Sequence, residues 1–379
     1  MSITEKQISA LFIPTSNAGV QQYRFTNFTT AAFRNKAFHA LQLWWEKSAT
    51  ETHKWEVEID DPAYKYRLKA ELDEHSKKAD VIVAQMCHME GALIELVRLK
   101  VENKLPLVTE TDDDMLHTPT YNPAHVVYGQ GSPFRRVAID QFRISDAMIV
   151  STPYLKEVYS EYNDNIYVVP NSLDFRIWDN LRHRRNDGVI RIGWAGGASH
   201  DEDLQIVEPV VRKILEKHPT VHFCFVHGIP KFLRGIDRVE TVNDFTRVDR
   251  YPQFLASRGF DIGIAPLVDN SFNRGKSNLR WLEYAGLGAP CVASNVGNFA
   301  ETITQEVDGL LCDSEQEWMD SLSFLISDEN ARRKMGKAAN KTARTKFNAD
   351  VNVFAYRDAL RDIINRGPVV KLPETQEVA

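Results

Sequence analysis

The stretch Asn273-Arg-Gly-Lys-Ser-Asn-Leu-Arg-Trp-Leu-Glu-Tyr-Ala-Gly-Leu-Gly-Ala-Pro-Cys-Val-Ala-Ser294 reads as loop, helix, tight stop and strand. Gly275 supplies backbone freedom in the loop, and Ser277 is a fitting N-cap. Leu279, Leu282 and Ala285 recur at helical spacing, Gly288 stops the helix and Pro290 forbids its continuation. Cys291–Ser294 then forms a short buried strand. The helix start, at Ser277, Asn278 and Leu279, offers free N–H groups and the positive end of a dipole to a phosphate. Lys276 adds a full charge at the same end. Glu283 lies about 9 Å further along the axis, at ~1.5 Å per residue from Ser277. That is the span from a diphosphate to the ribose it carries, and a carboxylate there accepts from both ribose hydroxyls. The same pattern also reads as a plain βαβ crossover helix with a buried acid and a solvated lysine.

Around this stretch, length and composition set bounds. A chain of 379 residues is too long for one ordinary core and implies two domains. At 43% hydrophobic and 26% charged residues it falls in the ordinary soluble class. Cys87, Cys224, Cys291 and Cys312 are scattered, with no C-x-x-C pair, which points to buried thiols in a reducing compartment rather than zinc. No apolar run nears ~18 residues and the first residues lack a signal-peptide pattern, so the expected location is the cytoplasm. The net charge is −6, and neither half has a basic surplus of the kind that binds nucleic acid by bulk charge.

In the first half, Ile8–Pro14 reads as a strand and Ser16–Arg24 as a glycine turn entering a helix, with Gly19 free to approach a phosphate and Tyr23 and Arg24 on the next turn. Residues 35–78 are helical in flavour and aromatic (Trp44, Trp45, Trp55), an insertion in the first domain. Asp80–Gln85 and Leu105–Glu110 are further strands. His88, Asp112, Asp113, Asp114 and His117 fall just beyond strand ends, where parallel sheets bind ligands. Three adjacent carboxylates repel unless solvated or offset by a cation or donors, so this cluster is a candidate ligand site; a solvated turn with Asp112 capping a helix is the plainer reading.

Ser145–Thr152 is another strand, and 173–188 a polar linker. The second domain opens with Val189-Ile-Arg-Ile-Gly-Trp-Ala-Gly-Gly-Ala-Ser-His200, a strand ending at Gly196-Gly197 in another phosphate-type turn. Asp261–Leu267 is the strand before the quoted stretch, and alternating acidic and basic helices fill 315–347. Phe347, Val351, Phe354, Ala355, Leu360 and Ile363 form a largely i, i+3, i+4 stripe on a last helix.

The pattern G-K-S-x-x-R-x-x-E-Y-x-x-x-G-x-P resembles the donor-binding segment of GT-B glycosyltransferases, especially glycosyltransferase family 4. There a Glu-x7-Glu motif spans this segment; its second Glu matches Glu283, while its first position is Gly275 here, beside Lys276. Ile166-Tyr-Val-Val-Pro-Asn-Ser-Leu-Asp174 resembles the family's V-x-P-N-G-x-D segment, with Ser172 for glycine. D-D-D-x-x-H-x-P resembles the acceptor side of such chains in tailed phages. The resemblance implies an α/β GT-B fold of two Rossmann-like doubly wound domains facing across a cleft. Its parts would be an acceptor domain (1–172), linker (173–188), donor domain (189–346), a helix crossing back to the first domain (347–366) and a tail (367–379). It implies a retaining transfer from a nucleotide-diphosphate sugar, UDP-sugar foremost, to a hydroxyl, with no cofactor and no metal. Lys276, His88 and Asp113 would be catalytic. Gly19, Gly196, Gly197, His200, Ser277, Asn278, Leu279 and Glu283 would bind donor. Asp112, Asp114, His117, Tyr23 and Arg24 would bind acceptor, a hydroxymethylated pyrimidine in double-stranded phage DNA or a surface glycan. Asp112-x-Asp114 also has the spacing of the GT-A metal motif. A UDP-sugar epimerase and a non-catalytic nucleotide-sugar binder stay open as alternatives.

Overall fold

The structure is a computed structural model that describes residues 7–14, 19–42, 62–181, 187–197, 200–226, 228, 231–243 and 248–369, with backbone alone for 62–67 and 231. Trp44, Trp45, Trp55 and Ser199 lie outside the described residues. The chain forms two compact units. The first comprises Met1–Thr120, Ala124–Ser172 and Ala349–Ala379; the second comprises Tyr121–Pro123 and Leu173–Asn348.

The first unit is built on six parallel strands: β1 (Ser9–Ile13), β2 (His39–Gln42), β3 (Val81–Gln85), β4 (Leu107–Thr111), β5 (Ala147–Val150) and β6 (Ile166–Val168). Their order is β2-β1-β3-β4-β5-β6, so the order reverses between β1 and β3. Continuous apolar runs such as Val81-Ile-Val-Ala84, buried throughout, are what a sheet covered on both faces demands. Residues 39–42, inside the stretch expected to be helical, instead pair with β1 from Ser9↔His39 to Phe12↔Gln42 as an edge strand. The Ala349–Arg366 helix belongs to this unit, as the GT-B resemblance implies. It buries Val353, Tyr356, Leu360 and Ile363 among Phe12, Phe25, Phe28 and Val83. Tyr356 lies 5.1 Å from the Phe28 ring and 6.0 Å from Phe12 and Phe38. The buried stripe differs from the one read in sequence: Val351 and Phe354 face solvent, because the helix meets the sheet on the side of Val353 and Tyr356.

The second unit repeats the plan with β7 (Ile190–Ala195), β8 (Val221–Val226), β9 (Val239–Val242), β10 (Ile262–Ala265), β11 (Cys291–Ser294) and β12 (Leu310–Cys312). The order β12-β11-β10-β7-β8-β9 reverses between β7 and β10. Ile192, Trp194, Phe223 and Phe225 pack on one face against Val210 and Ile214, with Trp318 and Leu322 in the same core. Part of the expected linker belongs to this unit: Phe175–Trp178 is a helical turn whose Phe175 and Trp178 are buried. Where the chain leaves this unit it lies beside its point of entry, Leu173 N–H donating to Phe347 O at 2.9 Å.

Candidate functional site

The quoted stretch folds as two helices, Ser271–Gly275 and Leu279–Gly286, followed by β11. Gly275 closes the first helix and has no positive φ. The N-cap of the second is Asn278 rather than Ser277, and no side chain caps that helix. Asn278 instead turns its amide to Thr302 Oγ1 at 3.1 Å. The first-turn N–H groups therefore have no capping side chain to satisfy them. At the other end Gly288 takes φ +71°. Ala289 N–H bonds Tyr284 O at 2.9 Å and Gly288 N–H bonds Ala285 O at 3.0 Å, a Schellman stop. The Glu329–Lys346 helix clasps this stop: Asn340 Nδ2 donates to Ala285 O at 2.8 Å and to Gly286 O at 3.3 Å. Gly336 sits where a Cβ would come within 2.1 Å of Gly288 O.

Lys276 follows the first helix in extended backbone, its Nζ 4.4 Å from the Phe272 ring centroid. Glu283 is 6% exposed and accepts from Tyr251 Oη at 3.4 Å. Burial first, and then the Glu283 charge, keep the Tyr251 phenol protonated, so it is a donor to this carboxylate. Counted from Leu279, Glu283 stands about 6 Å up the axis.

The loops after β7 and β10 flank the order reversal, the place where open α/β sheets bind ligands. Gly196 N–H continues the ladder to Val226 O at 3.3 Å and is not free for a phosphate. Its missing Cβ leaves room for Arg280 Nη2, 2.6 Å from where that atom would stand. Gly197 is exposed with open space beside it. His200 is buried, its Nδ1 2.7 Å from Asp203 Oδ2 and its Nε2 3.2 Å from Arg280 Nη2. Asp203 is itself 1% exposed. Its Oδ1 accepts from Val268 N–H and from Asn273 Nδ2, each at 2.8 Å, tying the two loops together.

In the first unit the structure separates the expected acceptor residues. Arg24, within a π-helical turn (Gln22–Thr26), is wholly buried and ion-paired to Glu110. Its Nη1 donates to Val169 O at 2.7 Å and Asn171 Oδ1 at 3.0 Å. Arg24 is therefore a structural residue, not an acceptor contact. Burial pushes the Glu110 carboxyl up while Arg24 pulls it back; since a buried guanidinium does not release its proton, the two form an ion pair. Tyr23 is buried and Gly19, at the first helical position, is exposed. His88 follows β3 and meets the Phe134 and Tyr128 rings edge-on at 5.7 and 6.0 Å. The three aspartates do not act as a block. Asp114 is fully buried and bonds His117 Nδ1 at 2.8 Å, leaving the imidazole half exposed. Burial raises the Asp114 carboxyl, and His117 opposes that. Asp112 and Asp113 are half-buried, their carbonyls accepting from Ser151 Oγ at 3.0 Å and Tyr159 Oη at 2.8 Å. The GT-A-type spacing thus loses one carboxylate to His117. Among the described residues no group of three or more His, Cys, Asp or Glu is placed to hold a metal ion, and no helix is long and apolar enough to cross a membrane.

The sequence alone assigns no role to Asp203, Asn273 or Arg280; the resemblance takes the segment 244–251 past the nucleobase, and its Tyr251 is bonded to Glu283. The His200/Asp203 spacing of one helical turn was a local signal; the other partners come from distant loops.

Comparison with known proteins bears on the fold and on the segment that follows Asn278. Residues 279–342 match the family described as Glycosyl transferases group 1. A D-inositol 3-phosphate glycosyltransferase of Corynebacterium urealyticum is 23% identical over 229 residues, 52% of this chain and 53% of that protein. One from Paenarthrobacter aurescens is 30% identical over 112 residues, 28% and 26% of the two chains. The chain thus spans about a quarter to a half of the curated relatives it matches. Among solved structures, Anabaena Alr3699/HepE in complex with UDP-glucose superposes with a TM-score of 0.66 at 15% identity, covering 94% of this chain and 100% of that one. Sucrose-phosphate synthase from Thermosynechococcus elongatus gives 0.64 at 13%, covering 95% and 100%. Two six-stranded parallel sheets, each reversing its order once, together with these likenesses, identify the fold as GT-B, with a group 1 glycosyl transferase segment at residues 279–342.

Proposed function

We propose that this chain is a glycosyltransferase that moves a sugar from a nucleotide diphosphate, UDP foremost, to a hydroxyl acceptor. The observation that carries this reading is the Leu279–Gly286 helix: an uncapped N-terminus beside Lys276, and Glu283 held by Tyr251 one turn on. The uncapped amides and Lys276 take the diphosphate, with Ser277, Asn278 and Leu279 supplying backbone, and Glu283 accepts from the ribose hydroxyls. Gly197 gives exposed backbone to the donor. The transfer is retaining: the C1–O bond to the β-phosphate breaks while the acceptor oxygen bonds C1 from the same face. The acceptor proton passes to the departing phosphate oxygen. His88, Asp113, Asp112 and the Asp114–His117 pair bind the acceptor. Acceptor classes worth assay are a hydroxymethylated pyrimidine in DNA, a surface glycan and, from the name of the curated relatives, an inositol phosphate.

Glu283→Ala tests the donor assignment. A lost charged hydrogen bond is worth about 1.5–3 kcal/mol, which raises the UDP Kd roughly 10- to 100-fold in calorimetry. Unchanged UDP binding would refute the ribose role. Conversion of a UDP-sugar to its epimer with no acceptor present would instead identify an epimerase, and saturable binding without turnover of any acceptor a binding protein.

A further inference from the structure

Arg280 stands at the second position of the Leu279–Gly286 helix, and Lys276 just outside it. Both positive charges oppose the dipole of that helix, and no acidic residue in the first turn offsets them. A local rule broken twice at one helix end marks a functional position. The Arg280 guanidinium is also fixed on three sides. Nε donates to Ala195 O at 2.9 Å, Nη2 lies 3.2 Å from His200 Nε2, and the Trp194 ring lies beneath at 5.2 Å. A guanidinium has five N–H donors in a rigid fork. Two are used here, and among the described residues the other three have no protein partner, on a half-buried side chain at the β7–β10 reversal.

The chemistry of Asp203 fixes how His200 holds it. The carboxylate only accepts, so the hydrogen between Asp203 Oδ2 and His200 is on Nδ1. In the neutral ring Nε2 is then a lone pair, and it accepts from Arg280; an imidazolium would set one N–H against another. Burial foremost, then the Arg280 charge, bring the imidazole down to about 4, so it is neutral at working pH.

We propose that Arg280 meets the charge that develops on the donor's β-phosphate as the sugar leaves, and that Asp203 and His200 are positioning residues that aim it without touching the donor. This deepens the glycosyl-transfer reading and rests on it. The electron pair of the breaking C1–O bond stays on the β-phosphate oxygen, where Arg280 and Lys276 stabilise it. The role expected of His200 in sequence, direct contact with the diphosphate, thereby passes to Arg280.

The test compares UDP, UMP and uridine binding by calorimetry, with transfer kinetics, on the full chain. Arg280→Ala should weaken UDP about 10-fold while UMP and uridine stay within about twofold, because only the outer phosphate loses its partner. Its kcat should fall about 100-fold with a smaller change in donor KM, as for a contact strongest in the transition state. His200→Leu, which cannot accept from Arg280, should reproduce part of both losses. His200→Gln, able to donate to Asp203 and accept from Arg280, should restore most of the UDP-over-UMP preference. Arg280→Lys keeps charge and stem and should retain a fraction of it, which serves if the alanine variant does not fold. Equal weakening of UDP and UMP, or a His200→Leu variant with wild-type kinetics, would overturn the proposal. Glu283→Ala weakens all three ligands alike, so it monitors the underlying reading separately. If the wild-type chain binds none of them, that reading fails first. If Glu283→Ala behaves as stated while Arg280→Ala keeps its preference for UDP, the Arg280 role alone is wrong.

Discussion

Glu110→Gln should damage the first unit far more than its nearly unchanged volume suggests. Arg24 and Glu110 are each wholly buried. The guanidinium has two other acceptors, Val169 O and Asn171 Oδ1, but no second carboxylate bonded to it. Removing the bonded negative charge leaves a buried cation whose hydrogen-bond partners are all neutral, with only the unbonded Asp112 charge acting on it, which costs about 3–5 kcal/mol. Domains of this size are typically stable by about 5–15 kcal/mol, so a third or more of the margin goes. Hydrogen exchange read by peptide mass spectrometry localises the effect. Amides of β1, β3, β4 and the Ala349–Arg366 helix should exchange about two to four orders of magnitude faster, at tenfold per ~1.36 kcal/mol. Peptides from β7 to β12, in the other unit, are the internal control. The double change Arg24→Met with Glu110→Leu should recover most of the loss, since apolar replacement removes both desolvation costs. A single variant losing less than about 1 kcal/mol, or a double variant as poor as the single, would refute the argument.

Three further outcomes are expected. Gly336→Ala drives a Cβ to 2.1 Å from the fixed Gly288 carbonyl; the helices must separate, costing about 3 kcal/mol or more in urea unfolding, and a loss under about 1 kcal/mol would show slack in that contact. The His200 imidazole falls from 6.5 to about 4 on folding. The unfolded chain then binds more protons between those values, so stability from this group is full above about 6.5 and is lost as pH falls toward 4. Wild type should lose about 2–3 kcal/mol more than His200→Gln between pH 7 and 4.5, and parallel curves would contradict the shift. Transfer activity in EDTA should stay within a fewfold of the metal-supplemented rate; complete loss restored by manganese and abolished by Asp112→Asn would assign the aspartates to a cation.

Much of this was legible along the chain, for reasons that also explain the misses. β10 and β11 are short apolar runs closed by Pro266 and Ser294, β3 is apolar up to Gln85 and β7 is interrupted only by Arg191, so covalent sequence states them directly. β2, by contrast, is His39-Ala-Leu-Gln42 on an edge, with polar ends and only partial burial. Its pairing with β1 is a tertiary choice. Glu283, on the Leu279–Gly286 helix, and Lys276, just before it, share one short stretch, so that they are neighbours in the fold follows from the chain itself. Arg24 was misassigned because its partners, Glu110, Val169 and Asn171, come from strands and loops 86 to 147 residues away. Arg280 was passed over for the same reason: its position depends on Ala195 and His200, at separations of 85 and 80 residues.

The packing of Ala349–Arg366 into the first unit also sets an order for synthesis. The core around Phe12, Phe25, Phe28 and Phe38 is missing Tyr356, Val353 and Leu360 until that helix is made, although Ser172 was made nearly two hundred residues earlier. At roughly 5–20 residues per second, that is a delay of about 10–40 s. The second unit is translated in full within the interval, its two ends joined at Leu173 and Phe347. The unit whose residues are mostly translated earlier is therefore completed later than its neighbour. During that wait the aromatic surface that Tyr356, Val353 and Leu360 will cover stays open to chaperones and to aggregation.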